Sequence, residues 1–184
     1  MFKLDVDGST ALTMVALPDA EELFALTDSS RHYLREWLPW VDATKTPEDT
    51  RNFIQSALNQ YANNNGFHCC IRYKGKIAGV IGFHHVDWIN RKAAIGYWLG
   101  QKYQGRGIMT NCCRALVEFA FSQLQLNRVE IRVAGGNAKS RAIPERLGFV
   151  QEGILRETEW LYDHFVDSVV YAMLQRDWLA HFNR

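Results

Sequence analysis

Apolar residues along the chain recur with two periods, one helical and one strand-like, and turn residues separate the segments. Residues 10–16 alternate loosely and predict a short strand. Pro18-Asp19 opens an amphipathic helix through about Thr27, and a second short helix, 30–37, is closed by Pro39. Thr46-Pro47-Glu48-Asp49 is a strong helix start, with a capping hydroxyl, proline in the first turn and acids facing the positive end of the dipole. Phe53, Ile54, Ala57, Leu58 and Tyr61 form its apolar stripe, and Asn63-Asn64-Asn65-Gly66 ends it.

Strand patterns then follow closely. Residues 67–73 and 76–86 flank the compact turn Lys74-Gly75, Asn90-Arg91 makes another turn, and 93–99 is a third strand. Residues 108–124 return to a helical period, with Ala115, Leu116, Phe119, Ala120 and Leu124 on one side. A β-branched strand at 129–134 leads through Gly135-Gly136-Asn137 to a short helix at about 140–147, stopped by Gly148. Strands at about 150–159 and 165–174 finish the pattern, joined near Asp163-His164. A helix between the strands at 93–99 and 129–134 requires a parallel crossover, whereas 67–99 reads as an antiparallel meander. The expected architecture is one mixed sheet of about seven strands flanked by helices, of α/β (α+β) class, in a single domain spanning 1–184.

Composition narrows the function classes. The 184 residues are 47 % hydrophobic and 22 % charged, as in a folded domain, and 21 Lys plus Arg against 20 Asp plus Glu give a net charge of +1. That balance offers no global attraction to nucleic acid or to an anionic membrane. No apolar run is long enough to span a bilayer, and Asp5 and Asp7 fall where a signal peptide needs an apolar core, so the expected location is the cytoplasm. Cys69-Cys70 and Cys112-Cys113 lack C-x-x-C spacing, and are expected to be free, buried thiols. His84 and His85, as neighbours on a strand, point to opposite faces, and no His-Glu-x-x-His is present, so no metal is expected.

The chemistry concentrates between Tyr97 and Thr110, where a strand meets a glycine-containing loop and a helix start. Such a start offers unpaired N–H groups and the positive end of a dipole, suited to a phosphate. Gly105 and Gly107 leave the backbone open to an anion, and Arg106 adds a charge. Thr110 stands where a dinucleotide fingerprint needs Gly or Ala, and no lysine follows at the phosphate-loop position. Both of those motifs fail, which leaves a plain strand-to-helix turn or a different anion loop.

The segment resembles the acetyl-CoA signature of the GNAT N-acetyltransferase superfamily, Gln/Arg-x-x-Gly-x-Gly/Ala, with Gly105 and Gly107 matching and Lys102 replacing the leading Gln/Arg. Asn137-Ala-Lys-Ser140 followed by Leu147-Gly-Phe149 is similar to the family's second block. Trp37-Leu-Pro-Trp40, Ile95-Gly-Tyr-Trp-Leu99, Gln104-Gly-Arg-Gly-Ile108 and Phe149-Val-Gln-Glu-Gly153 look like the RimL/RimJ-type branch, whose members acetylate the N-terminal amine of ribosomal proteins.

The resemblance implies a centrally splayed sheet, with Trp98 and Leu99 lining a pantetheine slot where a backbone amide polarises the thioester carbonyl. It implies that amides of Gln104, Gly105, Arg106, Gly107, Ile108, Met109 and Thr110 hold the pyrophosphate, and that Asn137 bonds the cofactor arm. Glu159 matches the branch's base, with Glu157 its competitor because Leu155, Glu157, Glu159 and Leu161 would share one face at period two. Pro144 occupies the position of the tyrosine that many relatives use toward the thiolate, so Ser140 is left for that role, unless it simply caps its helix. Trp37 and Trp40 wall the acceptor site or pack in the core. The implied reaction is acetyl transfer from acetyl-CoA to a protein N-terminal amine, without a metal. Small amines such as polyamines are the alternative acceptors, a non-catalytic acyl-CoA-binding module is the alternative to an enzyme, and a homodimer is the family-level expectation.

Overall fold

The computed structural model describes residues 2–182 and builds a single eight-stranded mixed sheet. Strands β1 (Lys3–Asp5) and β2 (Thr10–Met14) are followed by helices α1 (Ala20–Ser29), α2 (Arg31–Arg35) and α3 (Pro47–Ala62). The meander β3 (His68–Tyr73), β4 (Lys76–Asp87) and β5 (Lys92–Leu99) comes next, then α4 (Ile108–Ser122), β6 (Arg128–Ala134) and α5 (Ala138–Arg146). The hairpin β7 (Val150–Leu161) and β8 (His164–Leu174) and helix α6 (Gln175–Phe182) complete the order. The strands lie as β1-β2-β3-β4-β5-β6-β8-β7, and only β5 and β6 run parallel.

Two elements escape the sequence pattern, and the strand number is eight rather than about seven. β1 is a three-residue edge strand, too short for a period, held by pairing to β2 and by Phe2 against Phe67 and Phe119. α6 follows β8 with no glycine or proline between them. Its Trp178 is 2 % exposed and donates its indole N–H to Glu118.

Helix α3 begins as its sequence dictates: Pro47 sits in the first turn, and the Thr46 and Lys45 amides donate to Asp49 Oδ2, both at 2.9 Å. Those two backbone bonds hold the Asp49 carboxyl below its usual pKa. At the β3–β4 hairpin Lys74 and Gly75 both have positive φ, the conformation of a tight two-residue turn.

Both faces of the central strands are covered. Ile81, Phe83 and Ile95 pack toward Cys112, Cys113, Leu116 and Val117 of α4, while Cys70 and Val80 pack toward Leu23, Leu26 and Ile54 of α1 and α3. All four cysteines are free and buried as expected, and burial pushes each thiol's pKa up, leaving them as apolar core. Among the described residues no helix is long and apolar enough to cross a membrane.

The feature that positions the site is an interruption of the sheet. β5 and β6 pair only from Lys92↔Arg128 to Ile95↔Ile131, so Gly96–Leu99 keeps β4 as its sole neighbour. This is the central splay.

Two expectations fail locally. The register between β7 and β8 shifts between Leu155/Ser168 and Glu159/Val166, inserting two extra residues into β7. Glu157 falls in that bulge with φ 50° and donates its amide to Asp167 Oδ1 at 2.8 Å, so the period-two face from Leu155 to Leu161 does not exist. Helix α5 starts at Ala138 rather than near Ser140, and its cap is Asn137, whose side chain accepts from the Ser140 amide. Ser140 is therefore not the cap, and Pro144 lies inside the helix.

Candidate active site

The splay opens into a cleft of about 710 Å³ between the end of β5, the start of α4 and the first turns of α5. Every residue expected to hold the cofactor lines it: Trp98, Leu99, each residue from Gln104 to Thr110, and Asn137. Ser140 and Trp37 line it as well. Trp40 and Glu159 do not.

The glycine loop explains its own composition. Gly107 caps α4 with φ 73°, and Gly105 has φ 70°, both in the left-handed region that side chains disfavour. No atom stands within 4 Å of a Cβ built at either position, so conformation rather than crowding requires glycine there. The first turn of α4 lines the cleft with Ile108, Met109 and Thr110, whose amides have no intrahelical partner. Arg106, Lys139 and Arg146 also line the cleft, and among the described residues no carboxylate does. A protein of net charge +1 thus keeps a locally cationic, amide-rich recess beside an apolar slot. That donor set fits a phosphorylated, partly apolar ligand of the coenzyme A kind.

Ser140 is held by a residue absent from the sequence expectations. Pro144 has no N–H, so the Ser140 carbonyl lacks its partner four residues on. The Tyr97 hydroxyl, from β5, donates to that carbonyl at 3.0 Å and accepts from Ser140 Oγ at 3.3 Å. Burial keeps the phenol protonated by raising its pKa. The proline was the available signal, because a missing amide implies a donor from elsewhere. We expect Tyr97→Phe to lower stability by about 1 kcal/mol, the usual net value of one hydrogen bond, as read by denaturant unfolding.

Two further contacts bridge elements around the cleft. Trp37 packs on Gly136, where an added Cβ would come 3.0 Å from the indole, so the α2 loop meets the β6–α5 loop. The Tyr162 hydroxyl, in the β7–β8 turn, donates to the Leu38 carbonyl at 2.5 Å, and Arg35 stacks 3.8 Å above the same ring. The basic residues Lys139 and Arg146 also went unnoticed in the sequence. Their signal is spacing, since both lie on the helix that the second motif block begins.

Glu159 sits on β7, half-buried, and burial raises its carboxyl pKa above the ordinary range. Glu157, in the bulge, is exposed. Trp40 lines a second cavity of about 420 Å³, with its ring 5.8 Å from that of Trp98. The two cavities share Leu38, Tyr97 and Trp98, so they meet at the end of β5.

Comparison with known proteins agrees with this geometry. Residues 11–150 match the family model for an acetyltransferase (GNAT) domain. The putative ribosomal N-acetyltransferase YdaF of Bacillus subtilis (strain 168) is 38 % identical over 179 residues, covering 97 % of this chain and 98 % of its own. The structure of the RimL ribosomal L7/L12 alpha-N-protein acetyltransferase in complex with coenzyme A superimposes with a TM-score of 0.91 at 26 % identity, covering 94 % of this chain and 98 % of that one. The microcin C7 self-immunity acetyltransferase MccE, in complex with acetyl-CoA and AMP, gives 0.88 at 34 % identity, covering 92 % and 94 %. With its splayed sheet, its glycine loop and this match over most of its length, the chain belongs to the GNAT family of N-acetyltransferases.

Proposed function

We propose that the protein transfers an acetyl group from acetyl-CoA to the N-terminal α-amine of a ribosomal or other cytoplasmic protein. The observation that carries this reading is the cleft itself: a glycine loop at a helix start, three cations without a carboxylate, and Ser140 beside an apolar slot. Its likeness to a ribosomal-protein acetyltransferase holding coenzyme A supports the acceptor class.

Acetyl-CoA supplies an activated acyl group as a thioester. The amides of residues 104–110, with Arg106, Lys139 and Arg146, hold its pyrophosphate. A backbone amide at Trp98–Leu99, on the part of β5 that β6 leaves unpaired, donates to the thioester carbonyl. Asn137 spends its side-chain oxygen on the Ser140 amide and keeps its NH₂ for the cofactor arm. Ser140 turns its hydroxyl proton from Tyr97 to the departing sulfur, giving up that bond while Tyr97 keeps its own to the Ser140 carbonyl. Glu159, outside the cleft wall, takes the amine's proton through an intervening water. Such help suffices for an α-amine, whose reference pKa is about 7.7–8.0, far more easily than for lysine at about 10.4.

Thiol release from acetyl-CoA tests the reading. A peptide with a free N-terminus is expected to give a kcat/KM at least about tenfold above that of spermidine, or of an N-terminally blocked peptide containing lysine. Faster release with spermidine would move the acceptor to small amines. Coenzyme A binding without release to any amine would leave a binding module.

A further inference from the structure

The second cavity differs from the cleft in chemistry. It lies on the other face of the sheet, against α1 and α3, and opens beside the cleft at Tyr97 and Trp98. Trp40, Trp98, Phe53, Leu23 and Val80 give it aromatic and aliphatic walls. Among the described residues, not one Asp, Glu, Lys or Arg lines it.

Its polar groups are mostly committed. Thr27 Oγ1 donates to the Leu23 carbonyl and Thr44 Oγ1 to the Trp40 carbonyl. Gln60 donates its NH₂ to the carbonyls of Asn65, Phe83 and His84, so its oxygen accepts from His68 Nε2–H at 3.1 Å. His84 and Thr50 are the exceptions: among the described residues neither the His84 ring nor the Thr50 hydroxyl has a hydrogen-bond partner, and His84 is the one that reaches the cavity's open side.

Glycines make room for these two rings. Gly82 on β4 pairs with Gly96 on β5 and with His68 on β3. A Cβ at Gly82 would come 2.8 Å from His68 Nδ1, and one at Gly96 would overlap the His84 imidazole. The register shift between Phe83 and His85 makes His84 the extra residue of a bulge, laid over Gly96. Two imidazoles therefore stand side by side, with centroids 5.9 Å apart, on a floor that only glycine permits.

We infer that this cavity receives the side chain of the acceptor's first residue, that it admits uncharged side chains and rejects charged ones, and that His84 is its hydrogen-bonding contact. The inference rests on the acetyl-transfer reading and adds the selection rule. Two observations fix the occupant. The cavity is continuous with the cleft at Leu38, Tyr97 and Trp98, beside the slot where the amine must arrive. Its walls offer a charged group no counter-ion, so burying one there is strongly unfavourable. Burial lowers the His68 pKa to about 4, with the nearby His84 adding to it, and partial desolvation lowers that of His84, whose side chain stays solvent-exposed at the cavity's rim. The same argument excludes polyamines, whose successive cations meet no carboxylate in either cavity.

The test is a set of peptides identical except for Ser, Thr, Phe, Lys or Asp at the first position, assayed by thiol release. The wild-type protein is expected to acetylate the Ser, Thr and Phe peptides with kcat/KM at least about 100-fold above the Lys and Asp peptides, as an unpaired buried charge demands. In His84→Glu, the Lys-to-Ser ratio should rise at least about tenfold, because a carboxylate then faces the cation. Gly96→Ala, which displaces the His84 ring, provides a second variant, and coenzyme A binding shows that each variant is folded. Equal rates across the peptide set in the wild-type protein, or a Lys-to-Ser ratio unmoved in both folded variants, would overturn the inference while leaving acetyl transfer standing. Absence of thiol release with every peptide would instead overturn the transfer reading, and this selection rule with it.

Discussion

Gly105→Val is expected to weaken coenzyme A binding by at least about 100-fold while the sheet stays folded. A β-branched residue at φ 70° carries roughly 1–3 kcal/mol of backbone strain, which the loop relieves by moving out of its conformation. That movement turns away the very amides that face the phosphates. The cost to the fold itself is small, because no atom lies within 4 Å of the added Cβ and the loop packs no core element there. Calorimetric titration with coenzyme A, beside a denaturant unfolding curve, separates the two effects. Unchanged affinity in a folded variant would remove the loop from the binding site. Gly107→Val should behave alike, since Gly107 caps α4 with φ 73°.

Glu159→Gln is expected to lower kcat by about 10²–10⁴-fold at pH 7, the range a positioned base supplies. The deficit should narrow above about pH 8, where an α-amine is already neutral. Because burial raises the Glu159 pKa, the carboxylate is a stronger base than an exposed glutamate, and its action fades as pH falls through that raised value. The sign for stability is opposite to that of a paired acid. The folded chain holds this proton more tightly than the unfolded chain, so the group favours folding at low pH and costs stability as pH rises through its folded value. Glu157→Gln, in the exposed bulge, should leave kcat within a few-fold of the wild-type value. A Glu159→Gln deficit constant from pH 6 to 9 would argue against proton removal by this residue.

The sequence carried the sheet order near the site and the glycine loop with little loss, because both have local causes. The turn at Lys74-Gly75, the capped start of α3 and the β-branched run of β6 each announce themselves within a few residues. What stayed hidden depended on pairing. A two-residue bulge in β7 is invisible to a period-two count, so the face shared by Glu157 and Glu159 dissolved once the register was known. Likewise Tyr97 looked like one more strand aromatic until Pro144 left a carbonyl for it to satisfy. The second cavity depends on Gly82 meeting Gly96 across two strands, a coincidence of register that no single segment records.

The short parallel overlap between β5 and β6 also has a mechanical meaning. The sheet is two plates joined along four residue pairs, one carrying the Trp40 cavity and the other carrying Asn137 and Ser140. Beyond that hinge the plates are spanned by side chains, with Tyr97 reaching Ser140 and Trp37 resting on Gly136. The distance between an arriving amine and a departing sulfur is then the opening angle of a joint, set by these struts together with the Tyr162–Leu38 bond. A misplacement of about 1 Å between reacting groups can slow a reaction about 100-fold, so these struts act as the gauge of the instrument.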